Sequence, residues 1–446
     1  MLGAVASAVL LNPLNSSMIS VALPSLGDEF RLSFAEATWI VSVFYLTSAV
    51  AQPVVGKLGD FYGRRRVFFS GLGLVAVASV LAPFSPSFLP LALFRALQAI
   101  GSSVFYPVGT GIIRDLITER RASALGVLAV FSSTSAALGP SLGGLLVHGG
   151  GWRLLFFANL PFLAVSAALA ALALPREDSP PRRGHGRSPV LDIPGVLLFA
   201  AALTSSLVFL LSLSGGINTH AGVVAVLAWG LFYLRETRAE EPLINLPRFF
   251  SNRGTLLVHA QYVLLNVAFY AVFFGMPTFL QEARGLDAGT TGLVMLSVAG
   301  VSVVSTPLAG RLIDRRGPAP ALLVAALAVA AGSSLLLTVG GGTGIPWIFF
   351  VLSLFGLGSG FGNLGLQNAL LDHTPKEETG AASGLFMTSR YLGTILATSL
   401  LGIFFGPAVD ARALHLAALP LVACAALILP LALLTPVARP KERRVA

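Results

Sequence analysis

Polar side chains recur at helical spacing inside segments of the sequence that are otherwise apolar. Two segments place polar residues at positions i, i+3, i+7 and i+11, and these residues are Arg95, Gln98, Ser102 and Tyr106, then His259, Tyr262, Asn266 and Tyr270. Residues with this spacing lie on one face of a helix. Because polar groups are costly in apolar surroundings, we expect these faces to line a cavity that binds a ligand. A structural hydrogen-bonding role is the alternative for Arg95.

Other apolar segments add polar residues to this predicted cavity. They are Asn12, Asn15 and Ser16 near the N-terminus, and Asn363, Gln367 and Arg390 towards the C-terminus. A cationic side chain near the end of an apolar helix can also extend to the polar boundary. Arg390 therefore has two interpretations, as a cavity residue or as a residue at the membrane surface.

Three residues are candidates for carrying a proton. His259 is the first, since histidine titrates near neutral pH, and a neutral hydrogen-bonded histidine is the alternative. Glu36 and Asp115 are the others, and both lie at the ends of apolar segments. No apolar segment has a carboxylate at its centre, and the six histidines are scattered. We therefore expect no catalytic residues and no enzyme activity.

The composition places these segments in a membrane. Of the 446 residues, 55% are hydrophobic and only 11% are charged, with a mean hydropathy of +0.82. Soluble proteins have about 25% charged residues, so a soluble enzyme is excluded. The one cysteine, Cys424, can form neither an internal disulfide nor a thiolate metal site. The sequence predicts no metal and no cofactor.

Fourteen apolar segments are candidate membrane spans, although the eighth is short. They lie at about 2–25, 36–56, 67–84, 89–112, 122–147, 153–174, 192–213, 221–234, 254–279, 289–309, 319–339, 346–370, 381–404 and 412–435. Helices are expected, because lipid offers the backbone no hydrogen-bonding partner. The fold class predicted is an all-α polytopic membrane protein.

The basic residues indicate how the chain is oriented. With the N-terminus inside, 23 of the 29 Lys and Arg residues fall on the cytoplasmic side, as the positive-inside rule requires. Both termini are therefore predicted to be cytoplasmic, in the plasma (inner) membrane. Topology and attraction to anionic lipid explain the net charge of +9, so no nucleic-acid partner is expected. Trp39, Trp152 and Trp347 fall at predicted outer helix ends, where aromatic rings prefer to lie.

An internal repeat divides the chain into two halves with an insertion. Gly56, Asp60, Gly63, Arg64 and Arg65 follow the second span in a short cytoplasmic loop, and Gly310, Asp314 and Gly317 follow the tenth in a near copy. A gating or structural role is expected for both copies. The offset of the copies predicts a 6 + 2 + 6 organisation, with the following parts: a six-helix bundle over 1–175, a linker with two additional helices (about 192–234) over 176–252, a second bundle over 253–436, and a basic cytoplasmic tail over 437–446.

Four motifs follow one another along the chain. They are the loop Gly56–Arg66, the segment Arg95-Ala-Leu-Gln98-Ala-Ile-Gly101, the segment Gly139-Pro140-Ser-Leu-Gly143-Gly144, and Gly151-Trp152-Arg153 with Asn159 and Pro161. In this order they resemble motifs of the major facilitator superfamily, and specifically of its fourteen-span drug:proton antiporter branch. The resemblance covers nearly the whole chain. It implies the major facilitator fold, with two six-helix bundles and two extra central helices. It also implies that the third motif kinks helix 5 and marks exporters.

The first span departs from this branch at one position. The branch usually carries an aspartate in L-D-x-T, whereas this chain has Leu14-Asn15-Ser16-Ser17. An amide cannot titrate, so the usual proton carrier is absent. The predicted cavity is then neutral to basic, which favours neutral, zwitterionic or anionic substrates.

The resulting functional prediction is a secondary exporter of amphipathic small molecules that works by alternating access. Proton coupling is expected from the resemblance, and Asn15 argues against it. A lipid or lipid-linked glycan translocase and an uncoupled facilitator remain alternatives. The partners predicted are the small-molecule substrate, a proton if transport is coupled, and membrane lipid. The resemblance implies a monomer.

Overall fold

The computed structural model describes residues 2–32, 34–117, 120–175, 192–213, 216–240, 242–244, 246–286, 288–405 and 409–436. The predicted linker residues 176–191 and the basic tail 437–446 lie outside this described part, as do the side chains of Glu36 and Pro140. Within the described part the regular structure is helical throughout, with no strand.

Nineteen α-helices are described. The first ten are α1 Leu2–Val9, α2 Leu11–Val21, α3 Leu23–Phe30, α4 Phe34–Tyr62, α5 Arg64–Leu81, α6 Phe88–Ser103, α7 Phe105–Leu116, α8 Arg121–Gly150, α9 Arg153–Phe157 and α10 Asn159–Ala173. The others are α11 Ile193–Ser212, α12 Thr219–Arg238, α13 Leu246–Ser251, α14 Arg253–Thr278, α15 Ala288–Arg316, α16 Ala319–Leu336, α17 Ile345–Asp372, α18 Thr379–Phe405 and α19 Ala411–Leu434.

Eleven helical segments of the described part are long and apolar enough to cross a membrane. They coincide with eleven of the fourteen predicted spans. Helices α8, α12 and α18 occupy the other three predicted positions. The all-helical fold is confirmed, while the count of fourteen spans and the cytoplasmic placement of the termini stay predictions.

Three predicted spans each contain a one-residue interruption that a proline follows three positions later: Pro13 after Leu10, Pro107 after Val104, and Pro161 after Ala158. Proline has no N–H to donate to the carbonyl four residues earlier, and its ring crowds that carbonyl. The interruptions are therefore proline kinks, which leave backbone carbonyls without their usual helical partners.

The chain forms two compact units. Unit 1 contains Met1–Val196 together with Pro375–Thr388, and unit 2 contains Leu197–Thr374 together with Ser389–Ala446. Helix α18 thus contributes its first ten residues to unit 1 and the remainder to unit 2.

Unit 2 packs its helices through glycine. A Cβ atom at Gly356 of α17 would overlap the carbonyl oxygen of Val298 on α15, and one at Gly358 would lie 2.6 Å from Val329 Cγ2 on α16. Small residues let helix backbones approach closely, which is the main source of packing energy between helices in lipid.

The two copies of the loop motif are helical for most of their length, which corrects the prediction of a loop. Helix α4 continues to Tyr62 and α15 to Arg316. The next residue in each copy is a glycine with positive φ, 98° at Gly63 and 79° at Gly317. Glycine adopts this conformation without steric cost, so each helix ends at the glycine rather than at the start of the motif.

Trp152 is buried inside unit 1, which corrects its predicted position at the membrane surface. Only 2% of its surface is exposed, compared with 46% for Trp39 and 41% for Trp347. Its ring packs against Phe30 and Phe156. Its indole Nε1 donates a hydrogen bond of 2.5 Å to Glu29 Oε2, and this partner within the protein replaces the membrane boundary for its polar N–H.

The Glu29 contact predicts a pH-dependent stability. The hydrogen bond from Trp152 lowers the pKa of Glu29 below its ordinary value of 4.5; Arg153 lowers it further, against the effect of partial burial. A lowered pKa means that the contact stabilises the fold above about pH 4.5 and that this stabilisation is lost as the pH falls through the lowered pKa. We expect Glu29→Gln to melt below the wild type at pH 7, with a difference that narrows as the pH falls below 4.5. Melting curves between pH 3 and 8, with Glu282→Gln as the control, check this, and a difference that does not change with pH contradicts it.

Candidate functional site

A chain of buried polar side chains crosses four helices of unit 1. Arg95 Nη1 on α6 donates to Gln98 Oε1 at 2.9 Å, and Gln98 Nε2 donates to Ser79 Oγ on α5 at 2.9 Å. Asn159 Nδ2 on α10 donates to Ser79 Oγ at 3.2 Å and to Asn15 Oδ1 on α2 at 2.9 Å. We name these five residues the polar chain. Each of them is at most 3% exposed.

The polar chain lies beside the proline kinks. Asn159 is the first helical residue after the interruption at Ala158. Asn12 lies two residues after the interruption at Leu10, and its Nδ2 donates to Ser102 Oγ, two residues before the interruption at Val104, at 3.1 Å. Interrupted helices with polar side chains at the break are the usual construction of binding sites in secondary transporters.

Arg95 is the charged member of the polar chain. Its side chain is 1% exposed, and its Cζ lies 4.4 Å from the centre of the Phe44 ring on α4. Its Nε and Nη2 donate to no residue that the structure describes. A buried cation that stacks on an aromatic ring keeps its charge at a cost of several kcal/mol in lipid.

The remaining residues of the first predicted cavity face have local roles. Ser16 Oγ donates to the carbonyl of Pro13 within α2 at 3.0 Å, and Ser102 Oγ donates to that of Ala99 at 3.3 Å. Tyr106 is half-buried on α7, beyond the interruption that separates it from Arg95. The structure thus joins Asn15, Arg95 and Gln98 in one hydrogen-bonded chain and Asn12 with Ser102 in a second contact.

The predicted exporter motif packs against the helix that carries Asn15. A Cβ atom at Gly139 of α8 would overlap Ser17 Oγ, and one at Gly143 would lie 2.8 Å from the carbonyl oxygen of Met18. Gly144 is half-buried on the same helix. The two glycines therefore let α8 approach the backbone of α2 two to three residues beyond Asn15.

The first loop motif forms a charged cluster with the beginning of α18, and all of its residues belong to unit 1. Asp60 Oδ1 accepts from Gly380 N at 3.1 Å and Oδ2 accepts from Ala381 N at 3.0 Å. Both N–H groups lie in the first turn of α18. A carboxylate at a helix N-terminus is stabilised by these unpaired N–H groups and by the helix dipole.

Arg64 connects the other charges of this cluster. Its Nη2 donates to Asp60 Oδ1 at 3.2 Å and to the carbonyl of Lys376 at 3.1 Å, while its Nη1 contacts Asp115 and the carbonyl of Gly111. Arg114 donates to Thr379 Oγ1 at 2.7 Å. Asp115, predicted as a proton carrier, is therefore placed in this cluster.

Glycine brings α4 and α18 together next to these charges. A Cβ atom at Gly56 would overlap the carbonyl oxygen of Gly380, and one at Gly384 would overlap that of Gln52. Arg65 points elsewhere, since its Nη1 donates to the carbonyl of Leu174 at 2.6 Å, at the end of α10. In the second copy of the motif, Gly310 is buried and Asp314 is half-buried in the last turns of α15.

Unit 2 holds the remaining predicted residues in smaller groups. Arg390 on α18 donates from Nε and Nη2 to the Tyr270 hydroxyl on α14, at 2.8 and 2.6 Å. His259 Nδ1 lies 2.8 Å from Ser389 Oγ, and its ring packs edge-on against Phe249 at 5.1 Å. Helix α14 thus contacts two consecutive residues of α18: His259 contacts Ser389, and Tyr270 contacts Arg390.

Asn266 and Asn363 of unit 2 are hydrogen-bonded within their own helices. Asn266 Nδ2 donates to the carbonyl of Tyr262 at 2.7 Å, and Asn363 Nδ2 donates to Ser359 Oγ at 2.8 Å. Tyr262 and Gln367 are 2% and 1% exposed. Within the described part, both hydrogen bonds from Arg390 go to Tyr270, and neither goes to any of these four residues.

Two members of the polar chain, Ser79 and Asn159, were missed as site residues by the sequence reasoning. Asn159 stands in the motif after Trp152, which was a usable signal, but Ser79 is a single serine in an apolar helix. Among the described residues, no group of three or more His, Cys, Asp or Glu side chains is placed to hold a metal ion.

Comparison with known proteins identifies the family. The family model of the Major Facilitator Superfamily matches residues 5–398. The uncharacterized MFS-type transporter YwoD of Bacillus subtilis is 45% identical over 420 residues, which cover 92% of this chain and 91% of YwoD. The tetracenomycin C resistance and export protein of Streptomyces glaucescens is 32% identical, over 90% of this chain and 74% of that protein.

A solved structure supports the fold. The crystal structure of the human organic anion transporter MFSD10 superposes with a TM-score of 0.69 at 17% identity, over 96% of this chain and 98% of that one. The sequence motifs, the all-helical fold and the family model agree: the chain belongs to the major facilitator superfamily and is a multi-pass membrane transporter.

Proposed function

We propose that the protein is a secondary exporter of amphipathic small molecules in the plasma membrane, a monomer with both termini cytoplasmic. The observation that carries the proposal is the contact of the exporter motif with α2. Gly139 and Gly143 bring α8 onto the helix that contributes Asn15 to the polar chain. The named export function of the tetracenomycin C protein, at 32% identity, points the same way.

The Asp60 cluster supplies a contact that an alternating-access cycle can make and break. Asp60 is bonded to backbone N–H groups of Gly380 and Ala381, 320 and 321 residues away in the sequence. A shift of α18 would break the two backbone hydrogen bonds together and leave Asp60 paired with Arg64 alone. We assign Asp60 and Arg64 a gating role on this basis.

The polar chain favours substrates that are neutral or anionic. Its one charged member is Arg95, and its other members are amides and a hydroxyl. A cationic substrate would need a buried negative charge beside it, because desolvating a cation without one is costly. The polar chain offers no such charge.

Coupling to protons is tested at Asn15. Asn15→Asp keeps the acceptor for the hydrogen bond from Asn159 and adds a group that titrates. If the wild type lacks a carrier at this position, transport by Asn15→Asp should gain at least about threefold in its response to an imposed pH gradient. Ser16→Asp, one residue away on α2, is the matched control. An equal response of Asn15→Asp and the wild type to the pH gradient contradicts the idea that the wild type lacks a proton carrier at this position.

The proposed function itself is tested with purified protein in proteoliposomes. Uptake of cationic ethidium, neutral chloramphenicol and anionic fluorescein is followed with and without a pH gradient, in the wild type and in His259→Ala. Transport of chloramphenicol or fluorescein above protein-free vesicles is expected. Gradient-driven transport that His259→Ala abolishes would assign the proton to His259, and transport indifferent to the gradient would indicate a facilitator. Movement of a fluorescent phospholipid without movement of any of the three small molecules would favour the translocase instead.

A further inference from the structure

Arg390 is a cation deep within α18. It lies eleven residues after Thr379, the first residue of the helix, which corresponds to about 16 Å of helix at 1.5 Å per residue. Its side chain is half-buried. This depth is about half the thickness of the hydrocarbon core of a membrane.

No carboxylate among the residues that the structure describes pairs with Arg390. Nε and Nη2 both donate to the neutral Tyr270 hydroxyl, and Nη1 donates to no residue that the structure describes. Arg64 and Arg153 differ, since they pair with Asp60 and Glu29. A cation within the membrane is costly and is normally paired. Since no carboxylate of the described part pairs with Arg390, a mobile anion can supply this pairing.

Aromatic rings lie next to this cation on α14. Phe269 and Phe273 stack at 5.7 Å with an interplanar angle of 16°, and Tyr270 and Phe274 stack at 5.6 Å with an angle of 24°. All four rings are half-buried, so part of each remains available for contact. Aromatic rings of this kind bind the flat apolar body of an aromatic ligand.

We propose that Arg390 and Tyr270 form a binding site for the carboxylate or sulfonate group of an aromatic organic anion, whose rings pack against Phe269, Phe273 and Phe274. The anion accepts from Nη1 of Arg390 and from the Tyr270 hydroxyl, whose oxygen already holds the guanidinium in place. This inference rests on the proposed export of amphipathic molecules and adds the charge and the aromatic body of the substrate.

The test is equilibrium dialysis of the detergent-purified protein with tritiated 1-naphthoate and with tritiated 1-naphthamide, which has the same rings and no charge. We expect the wild type to bind 1-naphthoate at least tenfold more tightly than 1-naphthamide. Arg390→Gln should lose about 10- to 100-fold in affinity for 1-naphthoate, the range for a charged hydrogen bond, with little change for 1-naphthamide. The proposal is overturned if the wild type binds neither ligand or shows no preference for 1-naphthoate. It is also overturned if the preference for 1-naphthoate survives in Arg390→Gln.

Two further variants keep the test decisive if Arg390→Gln does not fold. Arg390→Lys retains the charge but not the two-donor fork, so its preference for 1-naphthoate should fall several-fold without disappearing. Arg412→Gln removes an exposed cation at the start of α19 and should keep the full preference. An unchanged preference in Arg390→Lys, or an equal loss in Arg412→Gln, contradicts the site. Chloramphenicol transport by the wild type reports on the export function separately, because chloramphenicol carries no charge.

Discussion

Replacing Asp60 by asparagine should reduce transport by about 10- to 100-fold. The carboxylate accepts two hydrogen bonds from the first turn of α18 and one from Arg64, and a hydrogen bond to a charged group contributes about 1.5–3 kcal/mol. Asparagine has one acceptor oxygen and no charge, so it can replace only part of this contact. A change of this size alters the ratio of two conformations by about the same factor, because 1.4 kcal/mol corresponds to tenfold.

Two measurements separate this gating effect from a loss of folded protein. Initial transport rates are normalised to the folded fraction, and amide exchange is followed in residues 379–388. We expect faster exchange there in Asp60→Asn, because the N–H groups of Gly380 and Ala381 lose their acceptor. Asp410→Asn is the matched control: Asp410 accepts from Ala413 N at 2.7 Å at the start of α19, and asparagine is an equally good cap at an exposed helix start. Normal transport together with unchanged exchange in Asp60→Asn would remove the gating role.

Replacing Gly143 by alanine should destabilise the protein by about 1–3 kcal/mol and lower transport with it. The added Cβ would lie 2.8 Å from the carbonyl oxygen of Met18, which is backbone and cannot rotate away. The helices must then move apart, and overpacking of this kind costs about 1–3 kcal/mol. Movement of α2 also displaces Asn15 from Asn159, so the binding of substrate should weaken.

Gly149, on the same helix, provides the control. A Cβ at Gly149 meets nothing within 4 Å, so alanine there gains helix propensity, about 1 kcal/mol, without a clash. Melting temperatures in detergent should therefore fall for Gly143→Ala and rise or stay level for Gly149→Ala. Equal shifts in the two variants would show that α8 and α2 are not in the close contact described.

Much of the candidate site could be predicted from the spacing of residues along single helices. Arg95 and Gln98 are three residues apart and are bonded to each other, as residues one turn apart can be. The same reasoning singled out Tyr270 and Arg390, but it could not pair them, because 120 residues separate them in the sequence. It also could not select Ser79 from the other serines of apolar helices, since only the fold shows which serine faces Gln98 and Asn159.

The loop motif was also predicted only in part from the sequence. Its residue types predicted a short cytoplasmic loop with a gating or structural role. Gly380 and Ala381, the partners of Asp60, could not be predicted from their side chains, because they donate through backbone N–H groups. The sequence also did not predict that the motif is helical. Helix α4 continues through Gly56–Tyr62 and ends only at Gly63, where φ is positive.

The sequence by itself determined the class of the protein, because apolar length, basic asymmetry and glycine motifs act along the chain and need no partner. It determined the all-helical fold and the superfamily, and it predicted that Asn15 stands where the resembled branch carries a titratable group. The tertiary structure decided which groups meet: the polar chain from Arg95 to Asn15, the cap that Asp60 places on α18, and the pairing of Arg390 with a neutral phenol. These contacts depend on helix packing across hundreds of residues, which no local pattern specifies.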